Sequence, residues 1–111
     1  MANLSKMKCV PCMGGVPPLK GSELNKLQKE LGHDWKVVKQ HHVEKDYKFK
    51  DFKQTLGFVN KIGKIAEEQG HHPNIEFTYG KAKISIYTHK INGLTVSDFV
   101  LAAKIEKIKR G

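Results

Sequence analysis

The sequence predicts an α+β domain: a four-stranded antiparallel sheet with three helices packed on one face, in the order α-β-β-α-β-β-α. Three observations carry this expectation. Apolar residues recur every three or four positions in three segments bounded by helix caps, and every second position in two pairs of segments between them. Short connections within each pair make its strands antiparallel. Their apolar/polar alternation fits a sheet covered on one side only.

Residues 1–21 hold Gly14, Gly15, Pro17, Pro18 and Gly21, and read as a loop leading into a single domain over 22–111. Ser22 suits the N-cap of a helix carrying Leu24, Leu27 and Leu31, which Gly32 closes. Trp35 and Val37, then Val43, Lys45, Tyr47 and Phe49, alternate with polar residues, giving strands near 35–40 and 42–50. His41-His42 falls at their connection and reads as a solvated turn.

Asp51 caps a long helix over 52–69, whose stripe is Phe52, Leu56, Val59, Ile62, Ile65 and Ala66; Gly70 ends it. Two strands, 74–79 and 82–89, flank Gly80-Lys81. Thr95 and Asp98 form a capping box for a last helix reaching about residue 109. That helix is apolar over an unusual breadth (Val100, Leu101, Ala103, Ile105, Ile108), which suggests a subunit contact.

Composition narrows the function. The chain has 111 residues, the size of one ordinary domain, and no apolar run near the roughly 20 residues that cross a bilayer. Its start lacks the apolar core of a secretory signal, so a cytoplasmic location is expected, with nuclear entry open to so small a protein. Net charge is +9, yet nineteen of the twenty basic residues are Lys, spread evenly along the chain. That argues for a solvated surface rather than specific nucleic-acid recognition, which favours Arg forks. Cys9-x-x-Cys12 has no second ligand pair for a structural zinc and reads as reduced thiols in the N-terminal loop.

The second hairpin carries the chemistry. With Gly80-Lys81 as its two-residue loop, Tyr79 pairs with Ala82, and Ile75, Phe77 and Tyr79 share a face with Ala82, Ile84 and Ile86. Extended backward, this register sets His72 opposite His89, with His71 adjacent at the end of the long helix. Pro73 holds His72 extended, and the helix C-terminus favours a protonated imidazole. Three converging imidazoles could bind a metal, act as general acid and base near neutral pH, or have no role; the residues alone leave all three open.

These residues also form a spaced pattern: Glu67-x-x-x-His71-His72-Pro73, then Tyr79, Thr88-His89, Gly93-Leu94-Thr95 and Asp98. With Trp35, the Phe49-Asp51-Phe52 segment and Asp98-Phe99, the pattern resembles the pterin-4a-carbinolamine dehydratase family over residues 17–108. The resemblance implies dehydration of 4a-hydroxytetrahydrobiopterin to quinonoid dihydropterin and water, in tetrahydrobiopterin recycling, with no metal or organic cofactor. It implies catalysis by His71, His72 and His89, and pterin contacts from His71, His72, Pro73, Thr88, His89, Lys90 and Ile91. His71 and His89 would exchange the protons while His72 holds the pterin, with Glu67 and Asp98 as carboxylates behind the imidazoles. It further implies a homodimer or homotetramer. A non-catalytic role, as a dimerisation cofactor or transcriptional coactivator with a protein partner, is the alternative. One departure stands out: animal members follow His-His-Pro with an acid and an aromatic residue, where this chain has Asn74-Ile75.

Overall fold

The computed structural model describes residues 4–7 and 17–108. Cys9 and Cys12 lie outside the described residues. Along the chain run α1 (Ser22–Leu31), β1 (Lys36–Val38), β2 (His42–Lys48), α2 (Phe52–Gln69), β3 (Asn74–Thr78), β4 (Lys81–Ile86) and α3 (Val96–Glu106), with 3-10 turns at Leu4–Lys6 and His89–Ile91. The four strands form one antiparallel sheet in the order β1-β2-β4-β3, as the periodicity predicts.

Each helix starts and stops for a local reason. Gly21 rather than Ser22 is the N-cap of α1, and Gly32 closes it at φ 58°. The Asp51 side chain accepts from Gln54 N at the start of α2, and Gly70 ends α2 at φ 65°, a left-handed conformation that glycine adopts without strain. In α3 the Thr95/Asp98 capping box is complete. β1 is shorter than expected because Lys39 and Gln40 both take positive φ, which ends the strand before His41.

The helices cover the face formed by Val43 and Tyr47 of β2 and Ala82, Ile84 and Ile86 of β4, all buried. α3 lies deepest, with Phe99, Val100, Leu101, Ala102 and Ile105 fully inaccessible. Burial within the chain therefore accounts for Val100, Leu101 and Ile105, while Ala103 and Ile108 stay half-buried against the same core. Part of that enclosure comes from the N-terminal lead-in, where Leu4 is buried and Ser5 O accepts from Lys104 Nζ at 2.9 Å.

The hairpin register differs from expectation by one step of the loop. Ile75 pairs with Ile84, Phe77 with Ala82 and Thr78 with Lys81, so the turn is Tyr79-Gly80 rather than Gly80-Lys81. Partners shift by two positions, which keeps every side chain on its predicted face. Tertiary hydrogen bonds select this turn: Gly80 O accepts from Phe49 N at 2.8 Å and Tyr79 O from Thr55 Oγ1 at 2.9 Å. Lys81 is also drawn into the ladder with Lys48. A Cβ on Gly80 would sit 2.9 Å from Phe49 O, a backbone atom that can move only with β2. Gly80→Ala is expected to destabilise the fold by about 1–3 kcal/mol, read from its denaturant midpoint. An unchanged midpoint would show that the turn relaxes freely.

Candidate active site

His71 and His72 follow the α2 C-cap directly. His71 N donates to Ala66 O at 3.2 Å, and Pro73 carries the chain extended into β3. His71 Nε2 lies 2.6 Å from Asp98 Oδ1, with the imidazole 16 % exposed and the carboxylate fully buried. The other oxygen, Asp98 Oδ2, accepts from Thr88 Oγ1 at 2.9 Å and from Thr95 N at 2.8 Å. Asp98 thus caps α3 and holds His71 at once; one buried carboxylate does both because its two oxygens face different partners.

This arrangement determines the tautomer. A carboxylate only accepts hydrogen bonds, so the proton on Nε2 of His71 faces Asp98 and Nδ1 is the nitrogen left to exchange a proton. His72 is paired in the same sense but in water: its Nε2 lies 2.5 Å from Glu67 Oε2, with side chains 60 % and 79 % exposed. Solvent screens such a pair, and it fixes the ring weakly.

His89 opens the 3-10 turn His89–Ile91, and Asn92, at φ 50°, closes it by donating from N to His89 O. Thr88 exchanges backbone hydrogen bonds with Gly93 across the base of this turn. Gly93 is required there, since a Cβ would meet Pro18 Cβ at 2.7 Å. Lys90 is exposed and Ile91 half-buried on the same turn. The link between the histidine segments runs from His71 through Asp98 to Thr88, the residue preceding His89.

Two expectations are corrected here. His72 does not face His89. The ladder ends at Asn74–Ser85, and its register, continued, brings Tyr87 to the level of His72. The reason is the earlier turn described above, together with the loss of a strand donor at Pro73. Nor is His41-His42 a solvated turn: both rings are half-buried. His41 Nε2 lies 2.8 Å from Asn92 Oδ1, the two Nδ1 atoms are 3.1 Å apart, and His42 Nε2 is 3.1 Å from Glu44 Oε1. The His41 ring packs on Tyr87 at 4.4 Å, and Tyr87 stacks on His89 at 4.2 Å. Sequence reading missed these contacts because they join residues whose strands end before the contact is made. Among the described residues, no group of three or more His, Cys, Asp or Glu side chains is arranged to hold a metal ion, and no helix is long and apolar enough to cross a membrane.

Comparison with known proteins gives a consistent result. The family model described as pterin 4 alpha carbinolamine dehydratase matches residues 17–108. A protein of Rubrobacter xylanophilus is 52% identical over 97% of this chain and all of its own length, and one of Alkaliphilus metalliredigens is 49% identical over 96% of each. Both carry provisional assignments as pterin-4-alpha-carbinolamine dehydratases. Among solved structures, a Brucella melitensis protein described as a transcriptional coactivator/pterin dehydratase superposes with a TM-score of 0.75 at 31% identity, over 80% of this chain and 95% of that one. A pterin dehydratase-like RuBisCO assembly factor of the alpha-carboxysome shares the fold, with a TM-score of 0.58 at 23% identity, over 68% of this chain and 89% of its own.

Proposed function

Because the chain belongs to the pterin-4α-carbinolamine dehydratase family, we propose that it dehydrates a 4a-hydroxytetrahydropterin by histidine acid–base catalysis. The C4a–O bond breaks and the hydroxyl leaves as water with a proton from the acid; the base takes the proton on N5, and a C=N bond forms. One proton leaves the acid and one arrives on the base, so the net protonation of the protein is unchanged, and the two imidazoles regain their starting states by exchanging protons with water. Acid and base must reach different atoms of one ring edge, which calls for two imidazoles on separate supports. His71, on its buried carboxylate, and His89, on its 3-10 turn, are such a pair. His72, Pro73, Thr88, Lys90 and Ile91 line the same two segments and bind and orient the pterin. Glu67 and Asp98 act behind the imidazoles, Asp98 the more strongly.

The observation that carries this reading is the bond from His71 to the fully buried Asp98, which leaves Nδ1 as the working nitrogen. Its test is direct. Freshly generated 4a-hydroxytetrahydropterin, followed by absorbance, should lose water faster with the protein than in buffer alone. No acceleration at micromolar protein would overturn the assignment.

We infer in addition that a second copy of the chain covers β3, consistent with a homodimer or homotetramer. β3 is a sheet edge, and beside its free edge Phe52, Leu56, Phe77 and Tyr79 remain 39–68% exposed, with Phe52 and Phe77 stacked at 6.0 Å. An open edge with an apolar flank favours pairing with another chain. Light scattering at micromolar concentration should give a multiple of the chain mass, reduced by Phe77→Glu; a wild-type monomer removes the inference. A protein-binding role is supported by the likeness to the Brucella melitensis protein described as a transcriptional coactivator, and would use this same flank. Such a role alone predicts a folded protein that leaves the carbinolamine unaffected.

A further inference from the structure

His89 stands on a turn of three residues in an exposed position, and among the described residues no carboxylate pairs with it as Asp98 and Glu67 pair with His71 and His72. A freely rotating imidazole is a poor acid or base, because proton transfer needs the nitrogen within hydrogen-bond reach and correctly aimed. Something else has to set its plane. The Tyr87 ring lies against it, centroids 4.2 Å apart and planes 28° from parallel, in a stacked arrangement. On Tyr87 in turn lies His41, at 4.4 Å and 40°.

The outer ring of this column is itself anchored. His41 Nε2 reaches Asn92 Oδ1 at 2.8 Å, and Asn92 N closes the turn on His89 O at 3.2 Å. His41 Nδ1 meets His42 Nδ1, whose other nitrogen reaches Glu44. One side chain from the β1–β2 connection therefore grips both flanks of His89: Tyr87 two residues before it and Asn92 three residues after. The strand registers agree, since the β2–β4 ladder continued one step from Val43–Ile86 sets His42 level with Tyr87.

We propose that Tyr87 and His41 are the positioning residues of His89, Tyr87 fixing the plane of its imidazole and His41 clamping Tyr87 to the His89 turn. This rests on the role given to His89 above. It assigns that residue a support unlike His71's: an aromatic column in place of a carboxylate. Stacking holds the ring through its face, and among the described residues neither His89 nitrogen has a charged partner, so the ring is held while its protons remain exchangeable.

The test separates the clamp from the activity. In ligand-free protein, stacking on Tyr87 shifts the His89 carbon-bound ring protons upfield; Tyr87→Ala should move those signals downfield, and Tyr87→Phe should leave them in place. In the dehydration assay Tyr87→Ala should lower kcat roughly tenfold with KM changed less than about threefold, while Tyr87→Phe keeps kcat within about twofold of wild type. His41→Ala should fall between the two. Thermal unfolding of each variant identifies any that lose the fold. Unmoved His89 signals in folded Tyr87→Ala overturn the clamp. So does a loss expressed in KM alone, which would make Tyr87 a pterin contact instead. If wild-type protein fails to dehydrate the carbinolamine, the assignment of function falls, and the ring-proton shifts still decide the clamp.

Discussion

His71→Ala should lower the dehydration rate by roughly two to four orders of magnitude, the span over which a positioned acid or base contributes. The expectation is stronger for His71 than for His72, and the difference lies in what stands behind each ring. Asp98 is fully buried and accepts from Thr88, Thr95 and His71, so it cannot swing away without uncapping α3. Glu67 is a largely exposed carboxylate on an exposed imidazole. His72→Ala should therefore act mainly on KM, as loss of a pterin contact would. Asp98→Asn provides the sharper probe. Its amide oxygen can still accept from Thr95 N and keep the cap, but its NH2 then faces His71 Nε2 as a donor. The imidazole must present a bare Nε2 to it, which puts the proton on Nδ1, the nitrogen meant to exchange it. A folded Asp98→Asn protein with a loss approaching that of His71→Ala would establish the tautomer argument. His71→Ala retaining more than about a tenth of the wild-type rate would defeat the assignment of His71 as acid or base.

Much of this was legible from periodicity and caps. The limits of α2, Phe52–Gln69, coincide with the Asp51 cap and the Gly70 stop, because both ends are set by residues adjacent in sequence. The Thr95/Asp98 box is likewise local. What sequence reading missed is what tertiary contacts decide. The β3–β4 turn lies one residue earlier than the periodicity predicts because hydrogen bonds from Phe49 and Thr55 to Gly80 and Tyr79 choose between two neighbouring turns. That residue moved Tyr87, not His89, to the level of His72. The dual role of Asp98 illustrates the same limit: the capping box was readable, whereas the His71 bond on its second oxygen depends on where α2 ends in space. The inward face of β2 did contain an unread signal. Lys45 alternates with Val43 and Tyr47 and so points under the helices, where a charge requires a partner.

That partner is Glu106, and its removal is expected to carry a large cost in stability. At the last residue of α3 its Oε1 accepts from Lys45 Nζ at 2.7 Å, Tyr47 Oη at 2.6 Å and Trp35 Nε1 at 3.1 Å, with the side chain only 13% exposed. A carboxylate at a helix C-terminus is unfavourable to the dipole, so these donors must more than offset its position. Burial alone would raise the Glu106 pKa, but the hydrogen bonds from Lys45, Tyr47 and Trp35, with the Lys45 charge, hold it below its ordinary 4.5. Glu106→Ala leaves the Lys45 ammonium, itself 12% exposed, without its countercharge, and should cost about 3–5 kcal/mol. Glu106→Gln keeps an acceptor for Trp35 and Tyr47 and should cost less, about 1–3 kcal/mol. The sign with pH follows from the lowered value. Below 4.5 the unfolded chain takes up a proton that the folded one still refuses, so the contribution of Glu106 is fully present above that range. It is lost as pH falls through the folded value. Denaturant melts of wild type and Glu106→Gln should therefore be widely separated at pH 7 and converge on acidification below about 4.5. A separation that stays constant down to pH 3 would mean that the carboxylate charge contributes nothing to holding α3 on the sheet.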